Sequence, residues 1–339
     1  MNIRELGEFG LIDRIRRMLP ESGPGVLVGI GDDTAVLQTE GGRLLLATCD
    51  TQREGIHFLR SAATPENIGR KALAINLSDI ASMGGRPRFA LVSLGLPDDL
   101  PVTFIDGLYA GLRMEAELAE TTIVGGNISS SQSGVTIDIT LLGDILPSQV
   151  LLRNNAKPGD KILVTGTIGD AAAGVALILD ADLTTSPEYG PIAASRRDMP
   201  TPRIRAGQWI AARQTATAMI DISDGLTGDL GHICESSKVG AKIFAEKLPV
   251  AKENRELAQQ KYDDEWHFAL HGGEDYELLF TVPAEQAQTL AAGITAETGV
   301  PVSIIGEILP AGQGQQFVLA DGKIKPLHMS GWDHFKRNN

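Results

Sequence analysis

The chain has 339 residues, 42% of them hydrophobic and 22% charged, ordinary values for a folded protein that exclude a disordered or collagen-like chain. At roughly 150 residues per domain this length predicts two domains. With 30 Lys plus Arg against 43 Asp plus Glu the formal net charge is −13, which argues against sequence-independent nucleic-acid binding and against docking on an anionic membrane.

The N-terminal residues alternate charge with apolar side chains and lack a signal-peptide core. No run approaches the ~18 apolar residues of a membrane span, so the expectation is a cytosolic protein. Cys49 and Cys234 form no CxxC pair, which supports neither a disulfide framework nor a thiolate zinc site.

Residues 8–18 carry Phe9, Ile12 and Ile15 at helical spacing, with Leu19 following before Pro20. Residues 26–30 read as a strand ending on Asp32 and Asp33, and 44–48 as a second strand ending near Asp50. Thr64 and Pro65 open a helix over 65–83 that carries Asp79 and closes at Gly84 and Gly85. Residues 88–96 are strand-like, 101–119 helical, and 135–141 alternate as a half-buried strand does. The composition of 146–159 is that of a connection, so the expected division is a first domain over 1–147 and a second over 148–339.

In the second part, 160–165 reads as a strand, 166–170 as a turn and 171–179 as a helix whose first N–H groups could attract an anion. Residues 184–202 read as a proline-containing loop ahead of another helix. Further strands are expected near 218–221, 241–245, 276–282 and 302–308, with helices from Gly225 and near 284–297. The expected class is α/β (α+β).

Acidic clusters recur where the chain turns: Asp32 and Asp33, Asp50, Asp79, Asp221 and Asp224, and Glu274 with Asp275. Singly, each fits a turn or an N-cap. Jointly, and with no His or Cys set beside them, they suggest a hard, oxygen-loving cation and phosphate chemistry. The P-loop, the G-x-G-x-x-G pattern, the nucleophile elbow and the H-E-x-x-H pair are all absent.

The ordered series Gly-Ile-Gly-Asp-Asp at 29–33, Lys-Ala-Leu-Ala-Ile-Asn-Leu-Ser-Asp at 71–79, Ile-Asp-Ile-Ser-Asp-Gly-Leu at 220–226, Gly-Gly-Glu-Asp-Tyr-Glu-Leu at 272–278 and Gly-Trp-Asp-His-Phe at 331–335 resembles the thiamine-monophosphate kinases. These belong to the superfamily of aminoimidazole ribonucleotide synthetase and selenophosphate synthetase. The resemblance implies a two-domain fold of the aminoimidazole ribonucleotide synthetase type, whose N-terminal sheets pair into a dimeric barrel, and a homodimer with ATP near that interface.

It further implies ATP-dependent phosphorylation of thiamine monophosphate, by direct in-line transfer and without a protein nucleophile. Several Mg²⁺ ions would be held by Asp33, Thr48, Cys49, Asp50, Asp79, Asn127, Asp221 and Asp224. ATP would contact Tyr109, Gly126, Asn127, Arg153 and Ser223, and thiamine monophosphate would face His57, Glu274 and Trp332.

Two positions depart from the family pattern. Asn127 stands where an Asp is usual, which keeps an oxygen but removes a charge, and Cys49 stands where a Thr is common, leaving its backbone carbonyl as the better ligand. Two other readings stay open at this point. One is a sibling ATP-dependent enzyme with another small substrate; the other is a nonenzymatic nucleotide-binding regulator.

Overall fold

The computed structural model describes residues 3–19 and 23–327. Helix α1 (Ile3–Met18) is interrupted at Gly7, so the helix predicted from residue 8 is the part beyond the break. An apolar stripe at helical spacing ordinarily packs inward. Ile12, Ile15 and Leu19 instead stay exposed, while Phe9 sets its ring 4.7 Å from His232.

The first sheet is built from β1 (Val26–Val28), β2 (Ala35–Gln38), β3 (Leu44–Arg53), β4 (Arg86–Leu96), β5 (Thr122–Ser130) and β6 (Thr136–Ile145), in the order β1-β2-β3-β6-β4-β5. Helices α2 (Pro65–Ser82) and α3 (Val102–Leu118) cover one face. The alternation is strict: Ala90, Val92 and Leu94 of β4 and Ile137, Ile139 and Leu141 of β6 point into that core, whereas Phe89 and Leu91 remain exposed on the other face.

The second half adds β7 (Lys161–Thr165), α4 (Asp170–Leu179), α5 (Tyr189–Asp198), α6 (Ile204–Arg213), β8 (Ala218–Asp221), α7 (Leu226–Ser237), β9 (Val239–Phe244), α8 (Lys252–Tyr262), α9 (His267–His271), β10 (Leu278–Val282), α10 (Ala287–Thr298), β11 (Val302–Pro310), β12 (Gln315–Val318) and β13 (Ile324–Pro326). Its sheet runs β13-β12-β9-β11-β7-β10-β8. Both faces of the central strands are covered. Ile162 and Val164 of β7 join one apolar cluster with α7, and Leu163 joins another with α6 and α10. A strand buried on both sides reads as an unbroken apolar run, which is how 161–165 and 278–282 read.

The main departure from the sequence reading is α5, placed inside the segment expected to be a loop. Pro191 lies in its first turn, where the missing N–H would have had no helical partner in any case. Strands β2, β5, β12 and β13 were also not anticipated; three of them are short, and β5 contains Gly125, Gly126 and three serines or asparagines unfavourable for a strand. The two halves meet where α6 lies on α2. A methyl group on Gly207 would fall 2.0 Å from the carbonyl oxygen of Ala81, so only glycine allows this approach.

Candidate active site

Helix α2 is the element on which the site is assembled. Thr64 caps it by accepting the Asn67 N–H at 3.2 Å, Pro65 starts it, and Ile68, Ala72, Leu73, Leu77 and Ile80 bury its apolar face. This fixes the rotation of the helix and so the direction of Ser78, Asp79 and Ser82.

Strand β3 runs beside it, and its period of two divides the residues predicted as ligands. Thr48 turns toward α2, its hydroxyl donating to Asp79 at 2.5 Å, and the Asp50 N–H donates to Asn76 at 3.2 Å. Cys49, between them, faces the opposite side, where the Thr140 hydroxyl reaches its sulfur at 3.6 Å. Its thiol is therefore turned away from the carboxylates.

Asp221 arrives from the end of β8, and the Ser78 hydroxyl donates to it at 2.5 Å across 143 residues of sequence. Asp33, from the turn after β1, accepts from Ser82 and from the Arg153 guanidinium, whose Nε lies 3.1 Å away. The Arg153 N–H also donates to Asp32 at 3.3 Å. Aspartates far apart in the chain thus converge around α2.

Their electrostatics are those of a site short of positive charge. Burial, aided by the charges of Asp50, Asp221 and Asp33, pushes the Asp79 carboxyl well above the ordinary range against the opposing Thr48 bond. Burial and then Asp33 push Asp221 up to about 8, with Ser78 and Arg153 opposing. Asp50 rises to about 6, chiefly by burial, although its hydrogen bond with Asp79 works the other way. Asp32 also rises to about 6, through burial and the neighbouring Asp33.

An all-oxygen donor set of carboxylates and a hydroxyl fits a hard divalent cation such as Mg²⁺. As they stand, no three His, Cys, Asp or Glu side chains among the described residues close on one point. Thr48, Ser78, Ser82 and Arg153 occupy oxygens of Asp79, Asp221 and Asp33 instead.

Two further carboxylates hold the surrounding loops. Asp229 accepts the N–H groups of Ser223, Asp224 and Gly225 at 3.1, 3.2 and 3.2 Å, which shapes the turn carrying Ser223 and Asp224. Asp275 accepts the Gly169 N–H with both oxygens, at 3.0 and 2.8 Å, at the start of α4. The anion attracted to that helix start is therefore a side chain of the protein itself. Asp229 lay outside every acidic cluster in the sequence; its position one turn into α7 was the available signal.

The family models for the AIR synthase related protein match this chain in two parts, the N-terminal domain over residues 31–145 and the C-terminal domain over 157–318. Thiamine-monophosphate kinase of Aquifex aeolicus is 38% identical over 339 residues, covering 99% of this chain and 100% of that one. The enzyme of that name from Bacillus subtilis is 35% identical over 336 residues, covering 98% and 100%. The chain belongs to the thiamine-monophosphate kinase family. A solved relative, described as AaThiL complexed with AMPPCP and TMP, has a TM-score of 0.83 at 37% identity and covers 98% of this chain and 99% of that one.

Of the residues singled out by resemblance to the thiamine-monophosphate kinases, Asp33, Thr48, Asp50, Asp79, Arg153 and Asp221 come together, with Ser223 and Asp224 in the turn that follows Asp221. His57 and Glu274 lie on either side of Lys71, whose ammonium is 3.4 Å from the His57 carbonyl oxygen and 2.7 Å from Glu274. Tyr276 is buried beside them, and burial together with the charges of Glu274, Asp50, Asp221 and Asp224 pushes its phenol well above the ordinary range.

Other members of the set stand apart. Gly126 and Asn127 are exposed on the edge strand β5, three strands away from β3 and so about 14 Å across the sheet at ~4.8 Å per strand. Tyr109 packs on the core of the first half from α3. Trp332 lies outside the described residues.

Proposed function

We propose that this chain transfers the γ-phosphoryl group of ATP to thiamine monophosphate, giving thiamine diphosphate and ADP. The observation that carries the reading is the convergence of Asp33, Asp50, Asp79 and Asp221 from both halves of the chain around α2, with Arg153 as the cation bonded among them. The family membership and the solved relative bound to AMPPCP, an ATP analogue, and TMP support the choice of substrates.

Asp33, Thr48, Asp50, Asp79, Asp221 and Asp224 would hold Mg²⁺, Asn127 would offer a further oxygen, and Cys49 would contribute through its backbone carbonyl. Bound there, Mg²⁺ supplies charge neutralisation and alignment of the transferred phosphoryl group. Arg153 and Ser223, with Gly126, Asn127 and Tyr109, bind the nucleotide. His57, Glu274 and Trp332 face the acceptor, where the indole can stack on the cationic thiazolium and the carboxylate can take hydrogen bonds from the aminopyrimidine. The attacking phosphate oxygen is already anionic, so these residues act by positioning and by electrostatics, without a strong general base.

The working unit is a homodimer joined through the uncovered face of the first sheet. Phe89 and Leu91 of β4 are exposed there, and the edge strand β5 beside them carries Val124 and Ile128, also exposed, an apolar surface that pairing would reduce. Gly126 and Asn127 lie on the same strand, so the nucleotide site is completed beside that interface. The two halves divide the work, with 1–147 supplying the partner face and most of the nucleotide and metal groups, and 148–339 completing the site with Arg153, Asp221, Ser223 and Asp224. The enzyme works in the cytoplasm.

The test is release of ADP and formation of thiamine diphosphate from ATP and thiamine monophosphate, with Mg²⁺ and with EDTA. Equal amounts of both products, formed only with Mg²⁺, are expected. Turnover of formylglycinamidine ribonucleotide or selenide instead, or nucleotide binding with no ADP release, would overturn the reading.

A further inference from the structure

We infer that Lys71 is a positioning residue for the acceptor: its ammonium holds the Glu274 carboxylate so that Glu274 can select the aminopyrimidine end of thiamine monophosphate. The inference rests on the function proposed above and deepens it.

Lysine is among the residues least often buried, yet the Lys71 side chain is only 7% exposed. It donates to Glu274 Oε1 at 2.7 Å across 203 residues of sequence, and the Glu274 side chain keeps 25% exposure. One partner is therefore enclosed while the other still reaches solvent. A buried ion pair is poor value as mere structural glue, because desolvating both ions cancels much of their attraction.

The backbone gives an independent indication. Glu274 and Tyr276 both have left-handed backbones, with φ of 70° and 50°, unfavourable for residues with a Cβ. Each is pinned by its own N–H, Glu274 to the Ser223 carbonyl at 2.7 Å and Tyr276 to the Ile222 carbonyl at 2.8 Å. Such strain persists only where the surroundings enforce it, and here it fixes Glu274 next to the turn carrying Asp221 and Ser223.

Helix geometry supplies the spacing. Lys71 and Ser78 are seven residues apart on one face of α2, about 10 Å along its axis. Ser78 holds Asp221 among the carboxylates. The same helix therefore presents the phosphate-handling groups at one end and the Lys71–Glu274 pair toward the other, an arrangement suited to an acceptor with its phosphate and its ring at opposite ends.

Lys71→Met and Glu274→Gln, singly and together, should be compared with the wild type by steady-state kinetics with each substrate varied, by thermal melting, and by calorimetric titration of thiamine monophosphate in the presence of AMPPCP and Mg²⁺. Each single variant is expected to raise KM and Kd for thiamine monophosphate by about 10-fold or more, the scale of a lost charged hydrogen bond, with KM for ATP nearly unchanged. The double variant should lose little beyond either single one. Should Lys71→Met fail to fold, Glu274→Gln decides by the same split between the two substrates.

Losses shared equally between ATP and thiamine monophosphate and accompanied by a lowered Tm, or an unchanged KM for thiamine monophosphate, would overturn the inference. Failure of the wild type itself to use thiamine monophosphate would instead overturn the function on which it rests.

Discussion

Two sets of enclosed carboxylates lie within one site and are bonded in opposite ways. Asp229 and Asp275 are filled by backbone N–H groups, three to the first and Gly169 through both oxygens to the second. Asp79 and Asp221 accept from hydroxyls, Asp50 and Asp79 share a hydrogen bond, and neighbouring carboxylates raise the pKa of all three. Burial and neighbouring carboxylates raise the pKa in both sets; the difference lies in which donors satisfy the oxygens. A carboxylate satisfied by several backbone amides shapes a loop, whereas one held only by a hydroxyl or by another carboxylate keeps negative potential for a cation and its phosphates.

The largest effect separating the sets is on turnover. Asp79→Asn or Asp221→Asn should lower kcat by on the order of 10² or more at saturating Mg²⁺, measured by ADP release, because a preorganised electrostatic contact is lost. Near-normal turnover of both variants would remove the distinction.

Asp229→Ala should act on stability instead. It leaves three N–H groups of the 223–225 turn without their acceptor and should cost about 3 kcal/mol in urea unfolding. A loss of turnover with unchanged stability would place Asp229 in the functional set.

The third effect is a pH dependence without metal. Asp50 and Asp221 titrate in the folded protein near pH 6 and 8, above the ~3.9 of an unfolded Asp. A raised carboxyl favours the folded state while protonated. Its contribution is therefore complete below about pH 4 and is lost as the pH rises through those folded values. In EDTA, Asp221→Asn should gain on the wild type as the pH goes from 5.5 to 8.5, by about 3 °C in Tm. Added Mg²⁺ should remove that advantage by stabilising the wild type. A constant difference across the range would show that burial and the neighbouring carboxylates do not raise the Asp221 carboxyl in the folded protein.

The smallest effect is a control. Burial pushes the Cys234 thiol up to about 12, so iodoacetamide at pH 8 should modify it only after unfolding, as read by mass spectrometry. Modification of the native protein would indicate that the core around α7 opens easily.

Much of this was legible along the chain. The cap at Thr64 and Pro65, the run of α2 and the alternation in β4 and β6 follow from local pattern, and the acidic clusters singled out Asp33, Asp50, Asp79 and Asp221. A local signal misleads where it has two meanings. Pro191 reads as a loop residue but sits in the first turn of α5, and Gly125 and Gly126 lie within a strand. Helix α1 has a good apolar stripe that is not buried in the chain as it stands.

By itself, the order of residues determined which side chains share a face, because periods of 2.0 and 3.6 are properties of the backbone. That is enough to put Thr48 and Asp50 on one side of β3 and Cys49 on the other, and Lys71 and Ser78 on one side of α2. Only the tertiary structure decided which faces meet. Ser78 finds Asp221, Arg153 finds Asp33 and Lys71 finds Glu274 across 143, 120 and 203 residues. Such pairings depend on how α2 docks against the second half, including the close approach at Gly207, and no local propensity encodes them.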